Sequence, residues 1–327
     1  MGIGDRWQGR PNLVDSRTSH EDDKEIQRLI RALQSLLEGQ SAIDELVACG
    51  ARAVPALRDF LLSGRVTSVP QPRMWAVEAL AGLQAREVLI EYLQAPNRGH
   101  DPQLAFAEDA VRNTAARRLG AWRDRQTFEI LLELCHRRNL PGVVESLAGF
   151  ESVEAIPSLD RALEDDLCRP AAEEGLRRLG SGARRALELS ALTPLPAAGE
   201  ETPSSLCRRR SVLGRLAEMG VDAGSWPELR PILGERDPEL LVRGAQLAAT
   251  AGGSEDRSTA ARRLVSALPQ VPWYRMNDAE EALVRLKPES IPPVEEERNR
   301  RSAKPPAARA ADEILRFLLR VELKIRT

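Results

Sequence analysis

The sequence predicts an all-α protein built from a repeated pair of helices. Leucine and alanine recur at helical rather than alternating spacing, and aromatic residues make up only 4% of the chain. Half-buried strands would instead alternate apolar and polar residues. At roughly 150 residues per domain, the 327 residues allow two ordinary domains or one long repeat array.

The repeat is visible in helix ends of one type. Six of them carry a glycine after an Ala- or Leu-rich stretch: Gly82, Gly120, Gly149, Gly180, Gly220 and Gly252. These glycines are 38, 29, 31, 40 and 32 residues apart, a mean of 34, which is typical of a helical-hairpin repeat. We expect each glycine to end its helix in the left-handed backbone conformation.

The chain therefore divides into successive hairpins, beginning with a cap pair at 22–49. The others follow at 50–83, 84–122, 123–150, 151–180, 181–220, 221–252, 253–286 and 287–327. Their helices carry apolar stripes, as at Phe128, Leu131, Leu132 and Cys135, which are spaced i, i+3, i+4 and i+7. Leucines on such stripes are expected to be buried, among them Leu57, Leu80, Leu119, Leu131, Leu159, Leu179 and Leu247.

Two segments carry a known helical-repeat consensus, AVPAL at 53–57 and VRNTAARRLG at 111–120. Weaker copies lie at 73–83, 155–159, 168–180 and 241–252. In these motifs the chain resembles the HEAT-repeat superfamily, particularly the short bacterial HEAT-like repeats of phycobilisome-lyase relatives. The resemblance implies a right-handed α-solenoid of about eight to nine hairpins, with a concave face formed by the second helices. Such arrays have many functions, so the resemblance implies no particular one.

The two ends of the chain depart from the repeat that covers 22–286. Residues 1–21 are polar, contain Gly and Pro, and are expected to form an arm outside the solenoid. Residues 287–327 are predicted to be a Pro-rich connection followed by an amphipathic helix, whose stripe is Ile314, Phe317, Leu318, Val321 and Ile325. We expect this helix to cap the last hairpin; docking into a groove of a partner is the alternative.

Four insertions, at 63–72, 94–102, 193–205 and 269–276, all fall between the first and second helix of a hairpin. They are therefore expected on one long edge, either as a recognition surface or as tolerated loop growth.

The last insertion, PQVPWYRM, contains the candidate protein-binding residues Trp273, Tyr274, Arg275 and Met276. Aromatic residues and arginine are enriched at interface hot spots, and the neighbouring prolines limit the entropy that the loop can lose on binding. The alternative is that Trp273 and Tyr274 fold back over the end of the array.

A basic stripe on the concave face is the alternative candidate for a binding site. Its members precede Leu-Gly at the ends of two second helices: Arg117, Arg118, Arg177 and Arg178. Guanidinium groups in such a stripe could contact phosphates. Acidic residues lie within a turn or two, however, and we expect Glu173 to pair with Arg177 and Glu174 with Arg178.

A second set of arginines lies early in the second helices, at Arg73, Arg112, Arg169 and Arg243. In the HEAT superfamily this arginine commonly pairs with an acidic residue of the neighbouring turn. The resemblance thus implies structural ion-pair ladders with Asp109, Asp166 and Asp237.

The sequence shows no catalytic, cofactor-binding or metal-binding residues. The cysteines lack metal-ligand spacing, the three histidines are far apart, and the carboxylate runs lack calcium-loop spacing. Some HEAT-like arrays are DNA glycosylases that use a concave-face Trp and Asp, and Trp122 with Asp124 invites that comparison. A lyase-like or glycosylase-like enzyme is therefore a third hypothesis. The expectation remains that the protein is not an enzyme.

Charge and hydropathy exclude further classes of protein. The 47 basic and 49 acidic residues nearly cancel, which disfavours a protein whose whole surface binds nucleic acid or anionic lipid. All but four of the basic residues are arginine, as in proteins from GC-rich bacterial genomes. Without an apolar N-terminal region or a membrane-spanning stretch, a cytoplasmic protein without a membrane partner is expected.

These observations favour a non-enzymatic scaffold or adaptor that binds another protein, as an accessory subunit of a larger bacterial assembly. The alternative is a nucleic-acid-binding array that uses the arginine stripe. Salt dependence would separate the two, because phosphate contacts weaken steeply as salt rises.

Overall fold

A computed structural model describes residues 13–196 and 199–326, and every regular element in these ranges is helical, which confirms the all-α prediction. The α-helices of the first half are α1 (Leu13–Ala32), α2 (Gly39–Ala48), α3 (Val54–Leu62), α4 (Gln71–Gly82), α5 (Arg86–Gln94), α6 (Pro102–Leu119), α7 (Arg125–Arg137) and α8 (Pro141–Ala148). Those of the second half are α9 (Ile156–Ala162), α10 (Arg169–Leu179), α11 (Arg184–Ala191), α12 (Pro203–Met219), α13 (Trp226–Leu229), α14 (Pro238–Ala251), α15 (Ser254–Ala267), α16 (Met276–Arg285), α17 (Ile291–Ser302), α18 (Pro306–Ala310) and α19 (Glu313–Arg326).

The chain forms two compact units, residues 1–150 and 151–327, each with its helices in two layers. In the first unit, α2, α4, α6 and α8 pack side by side, and each also packs against the helix that precedes it. In the second unit, α10, α12, α14, α16 and α19 follow one another in the corresponding layer. The division falls between the fourth and fifth predicted hairpins.

All four insertions join a first helix to a second helix, as predicted. They connect α3 to α4, α5 to α6, α11 to α12, and α15 to α16. Two of them end in a capped helix start followed by proline. The Asp101 carboxylate accepts a hydrogen bond from the Leu104 amide at 2.9 Å, and the Thr202 hydroxyl accepts one from the Ser205 amide at 3.2 Å. These side chains satisfy amide groups that a helix start would otherwise leave unpaired.

The expected core is largely confirmed. Leu57, Leu80, Leu119, Leu131, Leu159 and Leu247 are buried. The prediction is wrong for Leu179, the last residue of α10, which is only half-buried.

The role predicted for the six glycines is correct at Gly180 and Gly220, where φ is 52° and 72°. At the other four it is wrong, because the backbone there has negative φ. Space explains Gly120 instead: a Cβ at this position would lie 2.6 Å from the Ser146 side chain on the neighbouring α8. Absence of a side chain there allows the two helices to approach closely.

Arginines of one layer commonly donate hydrogen bonds to carbonyl groups at the end of a helix in the other layer. These carbonyls have no partner within their own helix, and the guanidinium fork can reach two of them at once. The pairs are Arg73 with Leu61, Arg112 with Leu93 and Ala95, Arg169 with Leu163, and Arg209 with Ala191, at 2.5 to 3.0 Å. Arg263 of α15 makes the same kind of bond within its own layer, to Leu233 and Gly234 of the 3-10 helix before α14, at 3.1 and 3.2 Å.

This finding corrects most of the predicted ion-pair ladders. Arg169 does pair with Asp166, at 2.5 Å. Asp109 pairs instead with Arg138, and Asp237 pairs with Arg210. Asp109 and Asp237 therefore pair with other arginines than the expected Arg112 and Arg243.

A buried polar network joins α4, α5 and α6 in the first unit. The Glu108 carboxylate accepts hydrogen bonds from the Arg73 guanidinium and, at 2.8 Å, from the Tyr92 hydroxyl. The Arg73 and Arg112 guanidinium carbons lie 5.5 and 5.3 Å from the centre of the Tyr92 ring. Burial raises the pKa of Tyr92 well above its usual range, so its hydroxyl stays a donor.

The ends of the chain are more helical than predicted. Residues 1–12 of the predicted arm lie outside the described residues, and α1 begins within the remainder, at Leu13. The predicted Pro-rich connection contains α17, because Pro292 and Pro293 lie in its first turn, where amide hydrogens have no intrahelical partner. As expected of a cap, α19 packs against α16 and α17.

Candidate protein-binding groove

The candidate binding residues begin in a short 3-10 turn, Trp273–Arg275, which we call the Trp273 turn. It follows Pro272, and the Arg275 amide donates a hydrogen bond to the Pro272 carbonyl at 2.8 Å. The Trp273 side chain is 86% exposed and meets the Tyr274 ring edge to face, with 5.9 Å between ring centres. The turn therefore presents a large aromatic group to solvent.

Tyr274 and Arg275 attach this turn to α14. The buried Glu239 carboxylate accepts hydrogen bonds from the Tyr274 hydroxyl at 3.2 Å and from Arg275 Nε at 2.9 Å. Arg210 of α12 also lies 2.9 Å from Glu239, and Arg275 donates to Asp278 at 3.1 Å. Burial alone would lower the pKa of Arg275, but its hydrogen bonds to the two carboxylates raise it above the usual value. Arg275 is thus a fixed charge that holds the turn.

Trp273 and Met276 line a groove of about 500 Å³ between the Trp273 turn and α19, and its lining is part apolar and part charged. The other apolar residues of this α19 groove are Leu268, Pro269, Val271, Ile314 and Phe317, and the charged ones are Glu313, Arg316 and Arg320. Its volume is within the range of ordinary ligand pockets. The four candidate residues, predicted as one patch, therefore divide between two surfaces.

Tyr274 and Arg275 line a different pocket, of about 400 Å³, bounded by α10, α12, α14 and the turn. Five arginines line it: Arg169, Arg210, Arg215, Arg243 and Arg275. Each of them lies within 4 Å of a carboxylate. Much of the positive charge in this pocket is therefore balanced.

Carboxylates also accompany all four arginines of the predicted basic stripe. In the first unit, Arg117 pairs with Glu145, and Arg118 lies 2.6 Å from Glu78. In the second unit, Glu174 pairs with both Arg177 and Arg178, at 2.7 and 2.8 Å. The expected pair of Glu174 with Arg178 is confirmed, whereas Arg177 uses Glu174 rather than Glu173.

The charge at this last cluster is fixed. Hydrogen bonds from Arg177 and Arg178 lower the pKa of Glu174 to about 2, so the carboxylate is ionised at neutral pH. A phosphate approaching these arginines would have to compete with a carboxylate already in place.

The residues weighed for catalysis have structural contacts instead. Asp124 caps α7 by accepting a hydrogen bond from the Thr127 amide, and it pairs with Arg86 at 2.9 Å. The amide hydrogen bond is the main cause of the lowered pKa of Asp124. His136 contacts the Leu132 carbonyl one helical turn earlier, at 2.7 Å. Within 13–196 and 199–326, no group of three His, Cys, Asp or Glu residues is placed to hold a metal ion.

Comparison with known proteins gives no match, either to a protein-family model or to a curated sequence. In the part of the chain that the structure describes, no helix is long and apolar enough to cross a bilayer.

The sequence analysis did not identify Leu268, Val271, Arg316 and Arg320 as residues of the groove. The amphipathic stripe of α19 was a usable signal, because it contains Ile314 and Phe317. Nothing in the sequence places that stripe beside a turn some forty residues earlier.

Proposed function

We propose that the chain is a non-enzymatic scaffold or adaptor that binds another protein at the α19 groove. In this proposal the two-layered helix pairs form a right-handed α-solenoid of about eight to nine HEAT-like hairpins, which serves as a rigid support. The chain would act as an accessory subunit of a larger bacterial assembly.

The observation that carries the proposal is the exposure of Trp273 beside a groove that is partly apolar. A tryptophan that is 86% exposed contributes little to the core. Tyr274 and Arg275 hold its turn against Glu239, so the indole is presented at little further entropic cost. Rigid aromatic groups next to an apolar depression are the usual anchors of protein–protein interfaces.

The paired arginines weigh against the nucleic-acid alternative. Arg117, Arg118, Arg177 and Arg178 all have carboxylate partners at their guanidinium groups. Phosphate binding would have to displace those carboxylates, which reduces the gain from releasing counterions.

The experiment begins with affinity capture from the native host, followed by identification and purification of the recovered protein. Its affinity is then measured by calorimetry for the wild type, for Trp273→Ala and for Phe106→Ala. Phe106 is the matched control, because it is an aromatic residue 73% exposed in the other unit. Removing an anchor should cost about 2 kcal/mol, or about thirtyfold in affinity, whereas the control should change affinity little.

A double variant, Arg177→Ala with Arg178→Ala, tests the alternative in the same assay at low and high salt. If Trp273→Ala binds as well as the wild type, the proposal is wrong. Nucleic acid in the eluate, lost in the arginine variant and strongly salt-dependent, would replace the scaffold by a nucleic-acid-binding array.

A further inference from the structure

We infer that the segment bound in the α19 groove is an amphipathic helix of the partner, with an apolar face and acidic flanks. This inference rests on the proposed function and adds the chemistry of the partner to it.

The shape of the groove favours a helix. One wall is α19 and the other is the Trp273 turn, with Leu268, Val271 and Phe317 among the lining residues. An apolar groove beside a helix accepts the apolar face of a second helix through residues spaced i, i+3, i+4 and i+7. A membrane surface would instead need an apolar face that protrudes.

The exposed face of α19 extends the groove and adds positive charge. Arg316, Leu319, Arg320 and Leu323 are exposed and follow one another at i, i+3, i+4 and i+7, so they share one face of the helix. Apolar and basic side chains therefore alternate beside the groove. A binding helix with leucines toward Trp273 and carboxylates toward the two arginines would complement both.

The two arginines are less neutralised than those of the predicted basic stripe. Among the described residues, no carboxylate lies within 4 Å of the Arg316 guanidinium. Arg320 is 63% exposed, and its carboxylate neighbour, Glu280, is 3.9 Å away and also pairs with Lys324. Glu313 supplies one negative charge at the start of the groove. The groove therefore carries a net positive charge that an acidic partner would balance.

The test uses two synthetic probes and fluorescence anisotropy. The acidic probe is a fluorescein-labelled helical peptide of about 15 residues, with leucines at i, i+3, i+4 and i+7 and glutamates at the flanking positions. The basic probe has lysine in place of every glutamate. Each is titrated with the wild type, Trp273→Ala, and the double variant Arg316→Glu with Arg320→Glu.

We expect the wild type to prefer the acidic probe by about tenfold or more, and Trp273→Ala to weaken its binding. Arg316→Glu with Arg320→Glu should reverse the preference and bind the basic probe. A control pair, Arg236→Glu with Arg309→Glu, makes the same change in net charge away from the groove lining and should keep the wild-type preference. A double variant that had lost its structure would bind neither probe, so unfolding cannot explain a reversed preference.

Equal binding of both probes, or no binding of the acidic probe at about 1 mM, would overturn the inference. So would Trp273-dependent binding to phosphatidylserine vesicles, or a dimer seen by sedimentation that Trp273→Ala dissociates. If the captured partner depends on Trp273 but tolerates the charge reversal, the proposed function stands and only the acidic helix is wrong. If that partner depends on neither, both fail.

Discussion

A Glu108→Gln substitution should lower the free energy of unfolding by about 3–5 kcal/mol. The Glu108 side chain has no exposed surface, and the Arg73 side chain that donates to it is only 5% exposed. Glutamine keeps the shape and one acceptor oxygen but removes the negative charge. The Arg73 guanidinium would then remain in the interior without a counterion, and this uncompensated charge accounts for most of the expected loss.

The matched control is Glu145→Gln on α8. Glu145 also pairs with an arginine, Arg117, but the two side chains are 42% and 48% exposed. Water screens such a pair, so the same substitution should cost only about 0.2–1 kcal/mol. Urea unfolding followed by tryptophan fluorescence measures both variants, since Trp75 and Trp122 lie in the same unit as the two glutamates.

A further double variant, Arg73→Met with Glu108→Leu, removes both charges together. It should recover part of the stability lost in Glu108→Gln, because the buried Arg73 charge is removed together with its counterion. The recovery is incomplete, since Arg112, whose Nε lies 3.8 Å from Glu108, and the Tyr92 hydroxyl still lose this carboxylate. If Glu108→Gln is no more destabilising than Glu145→Gln, the carboxylate does not compensate the Arg73 charge, and our account of this network is wrong.

Three more outcomes can be measured. Glu239→Gln should leave the fold intact but increase the rate of amide hydrogen exchange in the Trp273 turn. The reason is that it weakens the charged hydrogen bonds that hold Tyr274 and Arg275. An unchanged exchange rate would contradict the anchoring role of Glu239. Hydrogen bonds, first of all from Lys304, lower the pKa of Asp312 to about 2, so its stabilising effect is complete above the unfolded value of about 3.9 and is lost as pH falls toward 2. The difference in melting temperature between wild type and Asp312→Asn should therefore shrink over that interval, and a constant difference would argue against the charge as its cause. Gly120→Ala should destabilise by about 1–3 kcal/mol in chemical denaturation, since its Cβ would lie 2.6 Å from a side chain of α8, whereas Gly253→Ala meets nothing within 4 Å and should be close to neutral.

Local signals predicted the helices well, and long-range packing explains where the prediction failed. Apolar spacing and the placement of insertions depend on a few neighbouring residues, so the helix pairs could be found from the sequence. The glycine at position 120 was located correctly but misinterpreted, because its close neighbour Ser146 lies 26 residues later on another helix. No local sequence pattern indicates which two helices approach each other closely.

The binding site was likewise predicted in part. The prolines of the last insertion and its position between two helices indicated a loop. The orientation of Tyr274 and Arg275, however, is determined by Glu239, which is 35 and 36 residues away and is recognisable as an anchor only once α14 is in place. Sequence spacing could not show that neighbouring residues of one turn line two different pockets.

The arginine-to-carbonyl hydrogen bonds explain how insertions of unequal length are tolerated. Arg73 spans the first insertion by reaching the Leu61 carbonyl, Arg112 closes the second at Leu93 and Ala95, and Arg209 closes the third at Ala191. In each case the hydrogen bond joins the two helices at the start and end of the loop. Residues of the loop itself can therefore be added or removed while the end of the first helix stays in place. Lengthening such a closed loop costs free energy only logarithmically. The loops between first and second helices can therefore diversify in evolution while the helices that they join keep their packing.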